Sequence, residues 1–164
     1  MPSKTKLIVI GIDPGYDRLG VAVVEKSSGK ETLLYSDCIE TDRQAEFGKR
    51  FLQIGNALEK IFKKYPADAL SIEKLFFSKN QKTAGTVAEV RGVVVYLGAK
   101  HCLPVFEYTP GEIKLAVAGY GSADKKQVTE MVGRLIEINK AIKHDDEYDA
   151  IAAALTHLAV ARFQ

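Results

Sequence analysis

Residues 7–24, Leu-Ile-Val-Ile-Gly-Ile-Asp-Pro-Gly-Tyr-Asp-Arg-Leu-Gly-Val-Ala-Val-Val, constrain the fold of this chain more than any other stretch. Two apolar runs, Leu7–Ile12 and Leu19–Val24, are separated by Asp13-Pro14-Gly15. The pattern predicts a β-hairpin whose first strand is buried and ends in a carboxylate. Pro14-Gly15 demands a turn directly after that acid. An Asp at a turn is commonplace. Asp13 gains meaning only if other carboxylates lie where they can meet it.

A turn at Ser27-Ser28-Gly29-Lys30 leads into a third strand, Glu31–Ile39, so three antiparallel strands open the chain. Thr41 and Gln44 match a capping box and predict a helix over 42–64. Phe47, Phe51, Ile54, Leu58, Ile61 and Phe62 form its apolar face. Tyr65-Pro66 ends it. Ala67–Glu73 is a short strand that follows a crossover helix, which makes it parallel to an earlier one, and it too ends in an acid. An Ala/Val/Gly-rich helix is expected over 82–99 and a strand over Leu103–Tyr108. Thr109-Pro110-Gly111-Glu112 starts another helix. Ser122 is expected to cap a helix to about Ile138, and a last helix runs from near Asp145 to the end. This order predicts an α/β domain with a mixed five-stranded sheet, three antiparallel strands then two parallel, flanked by helices.

The 164 residues suit a single domain over 1–164. No apolar stretch approaches the ~20 residues that span a bilayer, and the run behind the polar N-terminus is broken too early by Asp13 for a signal peptide. Cys38 and Cys102 form no metal or redox motif and are expected to be reduced core residues of a cytoplasmic protein. The net charge of +2 argues neither for nor against nucleic acid, so that question rests on where the lysines sit.

Asp13 and Glu73 close two strands, and neighbouring strands would set them side by side. The last helix opens His144-Asp145-Asp146-Glu147-Tyr148-Asp149. Asp146 and Asp149, three apart, share a helix face, and small Ala150 and Ala153 let that face approach a sheet. Asp145, four residues from Asp149, competes with Asp146 for the same role. Four carboxylates at one point repel unless cations neutralise them. Oxygen-only ligands select Mg²⁺ or Mn²⁺. Two such ions roughly 3.5–4 Å apart form the clamp of phosphodiester hydrolysis. Taken singly, each acid could be a solvated strand end or a helix N-terminal charge.

The stretches 10–15 (Ile-Gly-Ile-Asp-Pro-Gly), 71–80 (Ser-Ile-Glu-Lys-Leu-Phe-Phe-Ser-Lys-Asn), 105–108 (Val-Phe-Glu-Tyr), 119–128 (Gly-Tyr-Gly-Ser-Ala-Asp-Lys-Lys-Gln-Val) and 146–157 (Asp-Glu-Tyr-Asp-Ala-Ile-Ala-Ala-Ala-Leu-Thr-His) together resemble the RuvC family of Holliday-junction resolvases, in order and over nearly the whole chain. The resemblance implies a ribonuclease-H-like fold and a homodimer. It implies Mg²⁺-dependent paired nicking of four-way junction DNA, with two ions per subunit and Mn²⁺ able to substitute. It carries the catalytic and metal-binding acids onto Asp13, Glu73, Asp146 and Asp149, with the position of Asp146 the most variable in the family. It makes Lys114 and Lys125 phosphate-binding residues and implies a RuvA–RuvB branch-migration partner.

Glycines, a helix start and lysines around 119–126 suit a phosphate. Lys79 and Lys82 share a predicted loop with Phe76 and Phe77, where an aromatic could stack on an unpaired junction base. The resemblance favours Phe76 there and leaves Phe77 as core or second wedge. Ala84, Val87, Ala88, Gly92 and Val95 could form a two-fold interface or pack in the core. Two other functions compete. One is an ATP-binding domain of the actin, Hsp70 and sugar-kinase group, which shares the Asp-x-Gly hairpin but needs two such domains. The other is a catalytically silent DNA-binding relative, against which the presence of all four acids argues.

Overall fold

The computed structural model describes residues 6–75 and 81–161. Strands β1 (Lys6–Asp13), β2 (Arg18–Ser27) and β3 (Lys30–Glu40) precede helix α1 (Phe47–Lys64). Then follow β4 (Ala69–Glu73), α2 (Gln81–Lys100), β5 (Val105–Tyr108), α3 (Pro110–Ala118), α4 (Lys125–Leu135) and α5 (Asp145–Val160). The sheet order is β3-β2-β1-β4-β5. β1 pairs antiparallel with β2, β2 antiparallel with β3, and β1–β4 and β4–β5 are parallel. The expected mixed sheet is the one observed.

Strand alternation sorts the core into two layers. Ile8, Ile10, Ile12, Leu19, Val21, Val23, Leu70 and Ile72 pack against α1 and α2 on one face. Val9, Ala22 and Val24 pack against α3, α4 and α5 on the other. The same parity turns Gly11 and Asp13 of β1, and Ser71 and Glu73 of β4, toward α5. Ser71 is fully buried and its hydroxyl donates to the Ala153 carbonyl of α5 at 2.6 Å.

α5 lies almost in contact with the sheet backbone. A Cβ on Gly11 would collide with the Ala150 carbonyl, and one on Gly20 with the Asp146 carbonyl. The run of buried alanines, Ala150 and Ala152 to Ala154, is what allows this approach. α5 is also tied to the outer strand. Buried Glu147 accepts a hydrogen bond from Ser36 Oγ and pairs with Lys140 Nζ, both at 2.5 Å. Lys140→Met leaves that carboxylate short of its cation and should lower stability by about 1–3 kcal/mol, read by chemical denaturation. A midpoint within error of wild type would contradict this.

Several boundaries differ from expectation. α1 starts at Phe47, not 42, because Thr41 is engaged elsewhere. Its hydroxyl donates to the Tyr16 carbonyl at 2.7 Å and accepts from Arg50 Nε at 2.9 Å. α4 is capped by Asp124, in a box with Gln127, rather than by Ser122, and it ends at Leu135 where Ile136 turns extended. β5 starts at Val105, because Cys102 adopts a left-handed φ of 56° and Leu103 N–H donates back to the Gly98 carbonyl. Cys102 is consequently exposed, contrary to its expected place in the core, and Cys38 is half-buried; both are free thiols. Among the described residues, no helix is long and apolar enough to cross a membrane.

Candidate active site

The pairing register gives the site its frame. β1 and β4 are parallel neighbours with Ile12 opposite Ile72, so the next residues on each, Asp13 and Glu73, emerge side by side. The β1–β2 register sets Asp13 opposite Gly20, over which the first turn of α5 lies. The turn after Asp13 is held by Arg50. Its Nη2 donates to Asp17 Oδ1 at 2.5 Å and to the Tyr16 carbonyl at 3.2 Å, and its guanidinium lies 3.7 Å above the Tyr16 ring.

Burial pushes the Asp13 carboxyl well above the usual carboxylate range. The charges of Asp149, Asp146 and Glu73 push it further, and the charge of Lys125 opposes them. Burial and then Asp149 raise Glu73, against Lys114, Lys125 and Arg91. Burial raises Asp149 as well, opposed by Lys125. The charges of the four expected acids therefore act on one another. Asp13 and Glu73 line a cleft of about 540 Å³ with Arg91, Thr109 and Gly111, while Asp149 lines an adjoining cleft and Asp146 a third.

In this arrangement the compensating cations are side chains. Lys125 Nζ pairs with Asp145 Oδ2 at 2.5 Å and Asp149 Oδ2 at 3.1 Å. Its own pKa rises because those contacts outweigh its desolvation. Arg18 Nε stands 3.2 Å from Asp146 Oδ2, which is buried and accepts no hydrogen bond. The charges pair, but off the line of a hydrogen bond. Arg18 Nη1 donates to His144 Nδ1 at 2.9 Å. An arginine can only donate, so the proton of His144 sits on Nε2 and points to Glu40 Oε1 at 3.0 Å.

Among the described residues, no three His, Cys, Asp or Glu side chains are drawn together closely enough to hold a metal ion as they stand. The donor set nonetheless fits a hard cation. It is all oxygen, its members repel one another, and Asp146 offers an orphaned buried oxygen. Between the rival acids, Asp146 belongs to the Asp13 cluster, whereas Asp145 is half exposed and turned to Lys125.

Lys114 and Lys125 line an adjoining cleft of about 270 Å³ with Glu73 and Asp149. Phe76, Phe77 and Lys79 lie outside the described residues, as does the side chain of Lys82 in the first turn of α2. Sequence reasoning missed Arg18 and Arg91. Arg18 had no local signal. Arg91 had one, because it is the one cation between Lys82 and Lys100 in an otherwise mostly apolar helical run and so needs a partner where it is buried.

A mixed sheet in this strand order, with carboxylates ending two adjacent inner strands and others on the helix that crosses them, defines a ribonuclease-H-like α/β domain. The chain belongs to the RuvC family, described as "Crossover junction endodeoxyribonuclease RuvC", which matches residues 9–157. It is 44% identical to the RuvC of Ruminiclostridium cellulolyticum over 151 residues, 92% of this chain and 91% of that one. It is 42% identical to that of Thermosipho melanesiensis over 155 residues, 94% and 99% respectively. The fold is similar to Thermus thermophilus RuvC in complex with a Holliday junction substrate, with a TM-score of 0.86 and 31% identity, covering 93% of each chain. Family membership sets aside the ATP-binding reading.

Proposed function

We propose that this chain is a single nuclease domain that resolves four-way DNA junctions by metal-dependent phosphodiester hydrolysis. The observation that carries the reading is the meeting of Asp13 and Glu73, at the ends of two parallel strands, with Asp146 and Asp149 of α5. The T. thermophilus relative supports the substrate, since its structure contains a Holliday junction. Family membership implies a divalent metal. Mg²⁺ fits the oxygen donors, with two ions per subunit and Mn²⁺ able to replace them.

Asp13, Glu73, Asp146 and Asp149 would hold the ions. The chemistry such ions would supply there is activation of the attacking water and stabilisation of the leaving oxygen. Asp13 and Glu73 are fixed by their strands, so these two donors are pre-positioned on the sheet. Lys125 and Arg18 neutralise Asp149 and Asp146 beforehand, which lets a mutually repelling cluster form in the folded chain. Lys114 and Lys125 bind phosphate beside the acids. Phe76, Phe77, Lys79 and Lys82, which follow Glu73 in the sequence, complete the DNA contact.

Paired nicks require two sites related by a two-fold axis. We assign that axis to α2. Its core face is Val90, Val94 and Leu97, while Gly92, Val95 and Tyr96 stay exposed, Tyr96 at 66%. An exposed groove of about 460 Å³ between α1 and α2, lined by Phe51, Leu52, Val93 and Tyr96, adjoins that face. The protein acts in the cytoplasm, and a RuvA–RuvB branch-migration complex is the partner the family implies.

A labelled synthetic four-way junction and a linear duplex of the same sequence, each with Mg²⁺ or chelator, test this reading. Symmetric paired nicks on the junction alone, and only with metal, are expected. Equal cutting of both substrates, or cutting in chelator, would overturn it. Lys114→Ala should weaken junction binding and reduce the slope of log affinity against log salt by about 1. An unchanged slope would remove Lys114 from the phosphate contacts.

A further inference from the structure

We propose that Arg91 is a positioning residue that fixes Glu73 for metal-dependent cleavage, an inference that rests on reading Glu73 as a metal ligand. Arg91 lies on α2 and is only 9% exposed. A guanidinium taken out of water must be fully paired to be tolerated. Its Nη1 donates to the backbone carbonyl of Glu73, and its Nη2 donates to the carboxylate of Glu107 on β5.

The position of that carbonyl gives the contact its importance. The β1–β4 register stops at Ile12 and Ile72, one residue before the two acids. At Glu73 the strand is held on the other side by β5, where it pairs with Tyr108 and where Lys74 N–H donates to the Tyr108 carbonyl at 2.7 Å. Arg91 supplies a further anchor for the Glu73 backbone. Through Glu107, which lies opposite Ile72, it ties the ends of β4 and β5 to one helix. A rigid fork bridging two strand ends is a task for arginine rather than lysine, whose ammonium is a single flexible point charge. Arg91 also fronts the cleft that holds Asp13 and Glu73, so a role as a direct DNA contact is the rival outcome.

Four variants separate the possibilities: Arg91→Met, Arg91→Lys, Glu107→Gln and, as reference, Glu73→Gln. Each is measured for single-turnover junction cleavage, Mn²⁺ binding by calorimetry, junction affinity in chelator and thermal midpoint. Arg91→Met is expected to lower cleavage and Mn²⁺ affinity about 10- to 100-fold, the usual scale for losing a group that orients a ligand. Junction affinity should stay at the wild-type value. Arg91→Lys should recover part of the loss, and Glu107→Gln should show a smaller loss in the same direction.

Wild-type cleavage and Mn²⁺ binding in Arg91→Met, with Glu73→Gln inactive, would overturn the proposal. Junction affinity falling in step with cleavage would overturn it too, making Arg91 a DNA contact. Normal cleavage by Glu73→Gln would instead overturn the reading of Glu73. If Arg91→Met does not fold, Arg91→Lys and Glu107→Gln decide, and wild-type Mn²⁺ affinity in both overturns the proposal.

Discussion

Asp13→Asn should abolish junction cleavage while making the metal-free protein more stable. The two effects have one cause. Asp13 is buried among like charges, so its folded pKa lies well above the unfolded value. Between those two values the unfolded chain has released its proton and the folded chain has kept it. Folding then takes up a proton, so stability falls as pH rises through this window and stays lower above it. Glu73 and Asp149, also raised, add in the same direction. The metal-free wild type should therefore be more stable in mildly acidic buffer than at neutral pH.

Asparagine keeps the shape and removes the charge. Removing that charge should lift the neutral-pH melting point in chelator, by about 2–4 °C for each kcal/mol of penalty relieved in a chain of this size. Cleavage should fall by at least about 10²–10³-fold, the scale of losing one preorganised electrostatic contact. Junction binding in chelator should remain, since the carboxylate is no phosphate partner. Mg²⁺ should raise the melting point of wild type and much less that of the variant. A variant that cuts normally, or that melts below wild type in chelator, would contradict the account.

Gly20→Ala should be among the most damaging single methyl groups added to this fold. The new Cβ would meet the Asp146 carbonyl, a backbone atom that cannot rotate away. The first turn of α5 would have to lift, taking Asp146 and Asp149 from Asp13. Overpacking of this kind costs about 1–3 kcal/mol or more, and cleavage should drop beyond what the stability loss explains. Gly133→Ala is the control. Gly133 sits in α4 with nothing within 4 Å of its built Cβ, and alanine there should stabilise by about 0.5–1 kcal/mol. Equal denaturation midpoints for the two variants would show that α5 does not rest on Gly20.

Much of this was legible in the chain. The apolar runs ending in Asp13 and Glu73 fixed two strands and the acids that close them, because strand burial shows directly in composition. The alanines of α5 announced a helix that lies close to its support, though not that Gly11 and Gly20 form the support. Helix starts were legible where the cap is local, as at Thr109 and Glu112, whose box is present. They failed at Thr41, whose hydroxyl is taken by Tyr16 and Arg50 from distant parts of the chain. The choice between Asp145 and Asp146 was likewise beyond spacing alone. It turned on Lys125 and Arg18, cations brought in by α4 and β2.

The measurement closest to the central claim is a calorimetric Mn²⁺ titration of wild type and Asp13→Asn, run in two buffers of different ionisation enthalpy. The account predicts that wild type takes up metal and releases protons as the raised carboxyls ionise, and that Asp13→Asn loses most of both. Equal metal uptake by the two proteins, or uptake by wild type with no proton released, would contradict a metal site built on Asp13.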